Sequence, residues 1–354
     1  MKKYIILFFT FSIVCFANAQ TFKYGDLYYN ITNSTSNYVE VAQQAYYNDI
    51  ETLVDVVIPN SVMYNDTRYY VTSMSYDAFD DCIYLRSITI PENISKFSHY
   101  SPFDGCKSLS VVNWNAKKCY DFIYDTYSRY PFTVCANTIT EVNLGNQVRI
   151  LPNHFCYNLK NVKSIILPES LEYFYESAFA GCSSLTSIAI PDLVETIPRY
   201  GFYGCSSLKK ITIGKSVSKI REYAFDGCDS VTTVEWNAIS ADCEYCYLDY
   251  YPLPMKSVTS LIFGEDVVEL PANLTTQNSN QIEITLKAFI PPTFMKNNTF
   301  NNSKVKVCYI PCGTLEVYQA TDWAMFPLVE KNEINIRVES DNELQGSAYI
   351  ETNL

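Results

Sequence analysis

Ala178-Phe179-Ala180-Gly181-Cys182-Ser183-Ser184-Leu185-Thr186-Ser187-Ile188-Ala189-Ile190-Pro191 decides the fold, because the chain writes it again at once. Gly201-Phe202-Tyr203-Gly204-Cys205-Ser206-Ser207-Leu208-Lys209-Lys210-Ile211-Thr212-Ile213-Gly214 follows. A third copy runs Ala224-Phe225-Asp226-Gly227-Cys228 to Val234-Glu235-Trp236, and the three cysteines stand 23 residues apart. Leu171, Val194 and Val217 keep the same step, as do Phe174, Ile197 and Ile220. Earlier copies lie at Phe79 with Cys82, Leu85, Ile88 and Ile90, and at Phe103 with Cys106, Leu109, Val112 and Trp114. A looser one spans Phe155 to Pro168, with Leu159 where the others have Cys.

Each copy holds a short alternating run such as Ile188-Ala189-Ile190, the period of a half-buried strand. A second apolar pair, such as Val194 and Ile197, and the Phe fill the rest of the coil. One copy cannot bury these residues alone, so copies must stack into one continuous core. The expectation is a right-handed, β-rich solenoid with one short strand per repeat of about 23 residues and a strand ladder along one face.

At these residues the pattern resembles the BspA-type leucine-rich repeat, over roughly residues 71–330. Tyr28-Tyr29-Asn30-Ile31, Asp55 to Pro59 and Tyr70 to Met74 are similar to that family's N-terminal β cap. Tyr309 to Tyr318, with Trp323, is similar to its terminal repeat. The resemblance implies a leucine-rich-repeat solenoid and an exported bacterial protein that adheres to host matrix proteins or to other cells. Periodicity alone implies only the solenoid.

Met1-Lys2-Lys3, the apolar run Tyr4 to Phe16 and the triplet Ala17-Asn18-Ala19 read as a secretory signal peptide over residues 1–19. Its apolar run is short for a spanning helix and no later stretch approaches one, so no membrane insertion of the mature chain is expected. Val14 stands before Cys15 where a lipoprotein signal needs a small residue. Removal of residues 1–19 leaves 24 basic and 38 acidic side chains, a net charge of −14 that repels phosphate backbones and makes nucleic acid a poor partner. With 30 Tyr and 18% charged residues the chain does not read as disordered. The reading divides it into the signal peptide, a β cap over 20–70, the solenoid over 71–330 and a β segment or tail over 331–354, where Ile334, Ile336 and Val338 alternate.

Two departures break the register. After Trp114-Asn115-Ala116 comes a Tyr-rich insertion, Cys119 to Phe132, and after Trp236-Asn237-Ala238 a similar one, Cys243 to Pro254. The two blocks lie 122 residues apart, which points to duplication of a multi-repeat unit. The insertions carry Tyr120, Tyr124, Tyr127 and Tyr130, then Tyr245, Tyr247, Tyr250 and Tyr251. Tyr offers large contact area at low entropy cost, so these eight are the candidate partner-binding residues. The alternative is that they plug the core where repeat blocks meet. The outward ladder residues, among them Ser87, Thr89, Ser164, Ile166, Ser187, Ala189, Thr212 and Glu235, are mostly small and uncharged.

No catalytic, cofactor-binding or metal-binding residue is expected. Of the two histidines, His99 and His154, neither lies in a motif that places it beside a nucleophile. Acidic residues read as solvated charges, and glycines mark repeat turns instead of a phosphate loop. Cys82, Cys106, Cys182, Cys205 and Cys228 share one coil position and read as a ladder of buried free thiols, with disulfides between neighbours as the alternative. Cys243-x2-Cys246 and Cys308-x3-Cys312 hint at zinc, but lie too far apart, without a nearby His, to favour it over thiols or local disulfides. The chain therefore reads as a non-enzymatic secreted or cell-surface protein that binds proteins or glycans on host or bacterial surfaces. A structural spacer displaying another module is the alternative, and an enzyme of unrecognised type comes third.

Overall fold

In a computed structural model the fold is described for residues 20–44, 50–97, 102–122, 130–240, 253–271, 274–275, 278–294, 299–300 and 304–331. The segments 1–19 and 332–354, expected to be the signal peptide and a β tail, lie outside the described residues.

The chain enters through a small mixed sheet. Thr21–Tyr24 and Leu27–Asn33 pair antiparallel, as do Leu27–Asn33 and Tyr38–Val41. Tyr38–Val41 runs parallel to Thr67–Met74, whose hairpin partner Ser61–Tyr64 precedes a tight Asn65-Asp66 turn. Both turn residues have positive φ, which Asn and Asp tolerate. Ser73 and Met74 then pair in parallel with Lys96–Phe97, which pairs with Asp121–Phe122. The entry sheet thus runs directly into the short second ladder of the solenoid.

The solenoid makes about nine turns of about 24 residues. Its principal ladder opens with Asp55–Val57, Ser87–Ile90, Val111–Trp114 and Glu141–Leu144, all parallel. It resumes with Ser187–Ala189, Lys210–Ile213, Thr233–Trp236, Ser260–Phe263, Gln281–Leu286, Lys304–Pro311 and Leu328–Lys331. Between these runs residues 164–167 are not a strand, yet they keep the alternation: Ile165 and Leu167 are buried, Ser164 and Ile166 exposed. The far side of each coil carries two-residue strands, such as Ile150–Leu151 with Tyr173–Phe174 and Thr196–Ile197 with Lys219–Ile220.

The 23-residue step is the register of the ladder: Ser187, Lys210 and Thr233 are successive partners. The two insertions lengthen a coil without ending the ladder. Val111 to Trp114 pair with Glu141 to Leu144, 30 residues on, and Thr233 to Trp236 pair with Ser260 to Phe263, 27 residues on. A coil that the sequence reading passed over follows the first insertion: Phe132 stacks on Phe103 at 5.4 Å, and Cys135, Ile139, Val142 and Leu144 continue it.

Phe179, Phe202 and Phe225 are buried and stacked in line, 5.2 Å apart at each step with nearly parallel rings, as the repeat requires. Phe79, Phe103 and Phe132 form the equivalent stack in the first half. Between the stacks large and small exchange places. The amide of Cys156 bonds Ala178 as that of Phe179 bonds Gly201, so Cys156 holds the Phe position and Phe155 the neighbouring Ala position. There the Phe155 ring packs edge-on against Trp114 at 4.8 Å. The far end is covered by Leu315–Gln319 and the loop after it: Tyr318 Oη donates to the Ala288 carbonyl at 2.6 Å, and Trp323 Nε1 to that of Pro292 at 2.8 Å. Solenoids need such covers, since a bare terminal coil exposes the core.

The thiols explain why the repeat uses Cys. Cys182, Cys205 and Cys228 each donate from Sγ to the backbone carbonyl of the residue at the Phe position of the preceding coil, Cys156, Phe179 and Phe202, all at 3.2 Å. Cys106 does the same to Phe79 at 3.1 Å, and Cys135 reaches the Phe103 carbonyl at 3.4 Å. A side chain this small fits the crowded corner and gives a buried carbonyl a weak donor that Ala lacks. These cysteines are free and buried, and burial pushes the Cys82 and Cys135 thiols up to about 12. Thiolate is the reactive form, so an alkylating reagent should modify exposed Cys312 in the native protein and leave Cys82, Cys106, Cys182, Cys205 and Cys228 untouched until it is unfolded without reductant. Peptide mass spectrometry reads this site by site, and a Cys182–Cys205 disulfide would reject it.

Candidate interaction surface

Four successive coils leave their short second strand through a turn whose corner residue is left-handed. His154, Ser177, Tyr200 and Tyr223 hold that corner at 23-residue steps, with φ between 54° and 57°. A few residues on, a second left-handed position is Gly in Gly181, Gly204 and Gly227, but Asn158 in the irregular coil. At three of these four corners, His154, Tyr200 and Tyr223, the chain places bulky side chains where a strained backbone disfavours them.

The result is an edge of rings along the solenoid. Tyr200 and Tyr223 stack at 5.2 Å with a 10° angle, Tyr203 meets Tyr200 edge-on at 5.5 Å, and Tyr173 meets Tyr175 edge-on at 4.7 Å. Arg199 lies over both stacked rings, 4.7 Å from the centroid of Tyr200 and 5.8 Å from that of Tyr223. Tyr203 is 45% exposed and Tyr223 40%. Two coils earlier Tyr130 stacks on His154 at 3.8 Å, and Tyr157 packs edge-on against both.

The first insertion is tied to this edge. Of its candidate tyrosines, Tyr120 is exposed and Tyr130 is the half-buried partner of His154. Tyr124 and Tyr127, and in the second insertion Tyr245, Tyr247, Tyr250 and Tyr251, lie outside the described residues. Arg199, Tyr200, Tyr203 and Tyr223 were not singled out in the sequence. The available signal was the 23-residue spacing of Tyr200 and Tyr223.

Burial lowers the His154 imidazole to about 4, so it is neutral at neutral pH. Because this folded value lies below the ordinary 6.5, the unfolded chain binds the proton more readily between the two. His154 therefore contributes stability that is complete above about pH 6.5 and is lost as the pH falls towards about 4. The thermal midpoint should drop across that window more in the parent than in His154→Gln. Parallel curves would dismiss the contribution.

The ladder face is more charged than its N-terminal half suggests. Glu235 binds Lys210 at 3.0 Å and Lys287 at 3.5 Å, and Glu283 binds Lys306 at 2.7 Å. Partial burial alone would raise the Glu235 carboxyl, but the two lysines outweigh it and hold it below the usual range. A shallow polar groove beside these pairs is lined by Thr259, Ser260, Gln281, Glu283 and Lys306. Among the described residues no group of three or more His, Cys, Asp or Glu is placed to hold a metal ion, and no helix is long and apolar enough to cross a membrane. Cys308 is buried and Cys312 exposed, both free, whereas Cys243 and Cys246 lie outside the described residues.

The family model of the BspA type leucine rich repeat region matches in six copies, over residues 18–129, 125–249 and 196–321. Among solved structures, a leucine rich repeat protein of T. pallidum is 18% identical, with 61% of this chain and 81% of that one covered and a TM-score of 0.40. A leucine rich cell surface protein from Faecalibacterium prausnitzii is 17% identical, with 92% and 99% covered and a TM-score of 0.35. A leucine-rich repeat protein from Bacteroides ovatus is 19% identical, with 88% and 100% covered and a TM-score of 0.30. No curated protein matches the sequence. With its repeat matched over most of its length and stacked coil upon coil in three dimensions, the chain belongs to the BspA-type leucine-rich repeat family.

Proposed function

We propose that this protein is exported, is displayed at or released from the cell surface, and works without catalysis by binding macromolecules: host matrix proteins, surface glycans or other cells. Export rests on the reading of residues 1–19 as a signal peptide, and a surface role is in keeping with membership of the BspA-type leucine-rich repeat family. The observation that carries the binding role is the exposure of tyrosines: Tyr120, Tyr173, Tyr203 and Tyr223 stand clear of the core, the last two at the stacked edge. Aromatic side chains left in solvent by a chain that buries so many others suit recognition better than stability. The two insertions remain the proposed contact sites, through Tyr120, Tyr124, Tyr127 and Tyr130 and through Tyr245, Tyr247, Tyr250 and Tyr251. Two such sites on one molecule raise avidity if a partner reaches both.

The test is a pull-down from matrix and bacterial-surface extracts, repeated with two variants. One replaces Tyr124, Tyr127 and Tyr130 with Ser, and the other replaces Tyr247, Tyr250 and Tyr251. Each must first melt like the parent, because lost packing mimics lost binding. Folded variants should lose the partner at least tenfold, about the worth of one modest hot spot. Unchanged capture would make the insertions structural. A spacer that displays another module is the second reading, favoured by the ladder face, where Lys210, Glu235 and Lys287 satisfy one another.

A further inference from the structure

We propose that Arg199, seated on the stacked rings of Tyr200 and Tyr223, receives a carboxylate from an acidic segment of a partner protein. This names a partner chemistry for the binding role above and rests on it, but places the contact outside the two insertions. Arg199 is exposed, and its guanidinium lies against the two rings, 4.7 and 5.8 Å from their centroids, while Nη2 donates to Tyr200 Oη at 3.2 Å. A guanidinium has five N–H donors in a fixed fork, and this contact leaves an edge that fits both oxygens of a carboxylate.

Among the described residues Arg199 forms no ion pair, although acidic side chains outnumber basic ones 38 to 26 in this chain. Arg86 and Arg149 are matched with Asp55 and Glu172. Arg199 is instead held by rings; Arg and Tyr are residue types enriched at binding hot spots, and a planar cation on aromatic support loses little freedom when it meets its anion. The support is kept against the preference of the backbone, since both Tyr200 and Tyr223 sit at φ 57°.

A peptide fits better than a sugar. Stacking a sugar needs an open ring face, but Tyr200 and Tyr223 each turn one face to the other, Arg199 lies against both rings and Tyr203 meets Tyr200 edge-on. Ring edges, hydroxyls and guanidinium N–H groups remain, which suit a carboxylate and the polar atoms beside it. The net charge of the chain repels an acidic partner at long range, so Arg199 works as a close contact and not by steering.

The experiment titrates the full chain, isotope-labelled at its tyrosine rings, with the peptide acetyl-Glu-Glu-Glu-amide and follows the rings by NMR. Tyr200→Phe and Tyr223→Phe assign the signals. The Tyr200 and Tyr223 signals should move with a Kd of about 1 mM, and acetyl-Gln-Gln-Gln-amide should leave them still. Arg199→Gln should weaken the response about tenfold or more, and Arg199→Lys should also weaken it, because the point charge lacks the fork. The proposal is overturned if the Gln peptide acts equally, if Arg199→Gln responds like the parent, or if the rings move only with polygalacturonate, a glycan polycarboxylate. If the acidic peptide moves neither ring, this inference fails and the binding role stands. If the parent captures nothing from the extracts, that role fails, and the peptide result still decides the chemistry of Arg199.

Discussion

Phe202→Ala should lower stability by roughly 3–5 kcal/mol, the cost of an aromatic-sized cavity in a core that cannot close around it. The ring has no exposed surface, stacks on Phe179 and Phe225 at 5.2 Å, and meets Phe174 edge-on at 5.7 Å. Collapse into the gap is hindered because both neighbouring coils are fixed by the ladder hydrogen bonds of Lys210–Ile213. The loss also has a particular form in a solenoid. Each coil touches only its neighbours, so the stability of the array is a sum of coil terms and interface terms. Removing one ring weakens two adjacent interfaces and uncouples the halves on either side. Denaturant unfolding followed at Trp114 and separately at Trp236, in single-tryptophan variants, should coincide in the parent. In Phe202→Ala it should separate into two transitions. A loss under about 1 kcal/mol would mean that the stack is ornamental to stability.

What could be read in the sequence follows from the same one-dimensional physics. Residues 23 apart are spatial neighbours and face the same packing problem, so their identities repeat; Phe179, Phe202 and Phe225 are legible for that reason. The coil at Phe132 was hidden because the period stretches to 30 there, and because Ile139 and Val142 stand one residue further from the Phe than Leu109 and Val112 do. Phe132-x2-Cys135 keeps the spacing of Phe103-x2-Cys106 and was the signal available.

The tyrosine edge was hidden for a different reason. Repetition says that Tyr200 and Tyr223 are equivalent, but not whether the position faces in or out. That is decided by the left-handed corner, which His154 and Ser177 also occupy and which no shared residue type announces. Packing constrains the core positions to a few residue types, while the corner is constrained only in backbone conformation. Sequence periodicity therefore finds a solenoid's core readily and the arrangement of its exposed edges poorly.

Gly214→Ala should destabilise the protein by roughly 1–3 kcal/mol, even though the same change at an unstrained site stabilises by about 0.4–1 kcal/mol through the unfolded chain. Gly214 ends its strand where the two preceding coils have Pro168 and Pro191. A Cβ there would lie 2.5 Å from the carbonyl oxygens of both Ile190 and Pro191 and 2.8 Å from the Pro191 carbonyl carbon. These are main-chain atoms, and Ile190 is held by the hydrogen bond its backbone N–H donates to the Thr212 carbonyl at 2.8 Å, so neither coil can yield without opening the ladder. The contrast is Gly264, at the same position two coils on, where the added atom would clash with the Asn237 side chain, 2.5 Å from Oδ1 and 3.3 Å from Cγ, while the nearest backbone atom, the Asn237 Cα at 3.4 Å, is at ordinary contact distance. That group can swing away or be removed. Gly264→Ala should cost less, and Asn237→Ala in the same chain should recover most of the cost, giving a coupling between the two sites that additive changes would not show. No side-chain deletion should rescue Gly214→Ala, because the obstruction is backbone. If Gly214→Ala melts at or above the parent temperature, the coils are less closely approached here than this geometry requires.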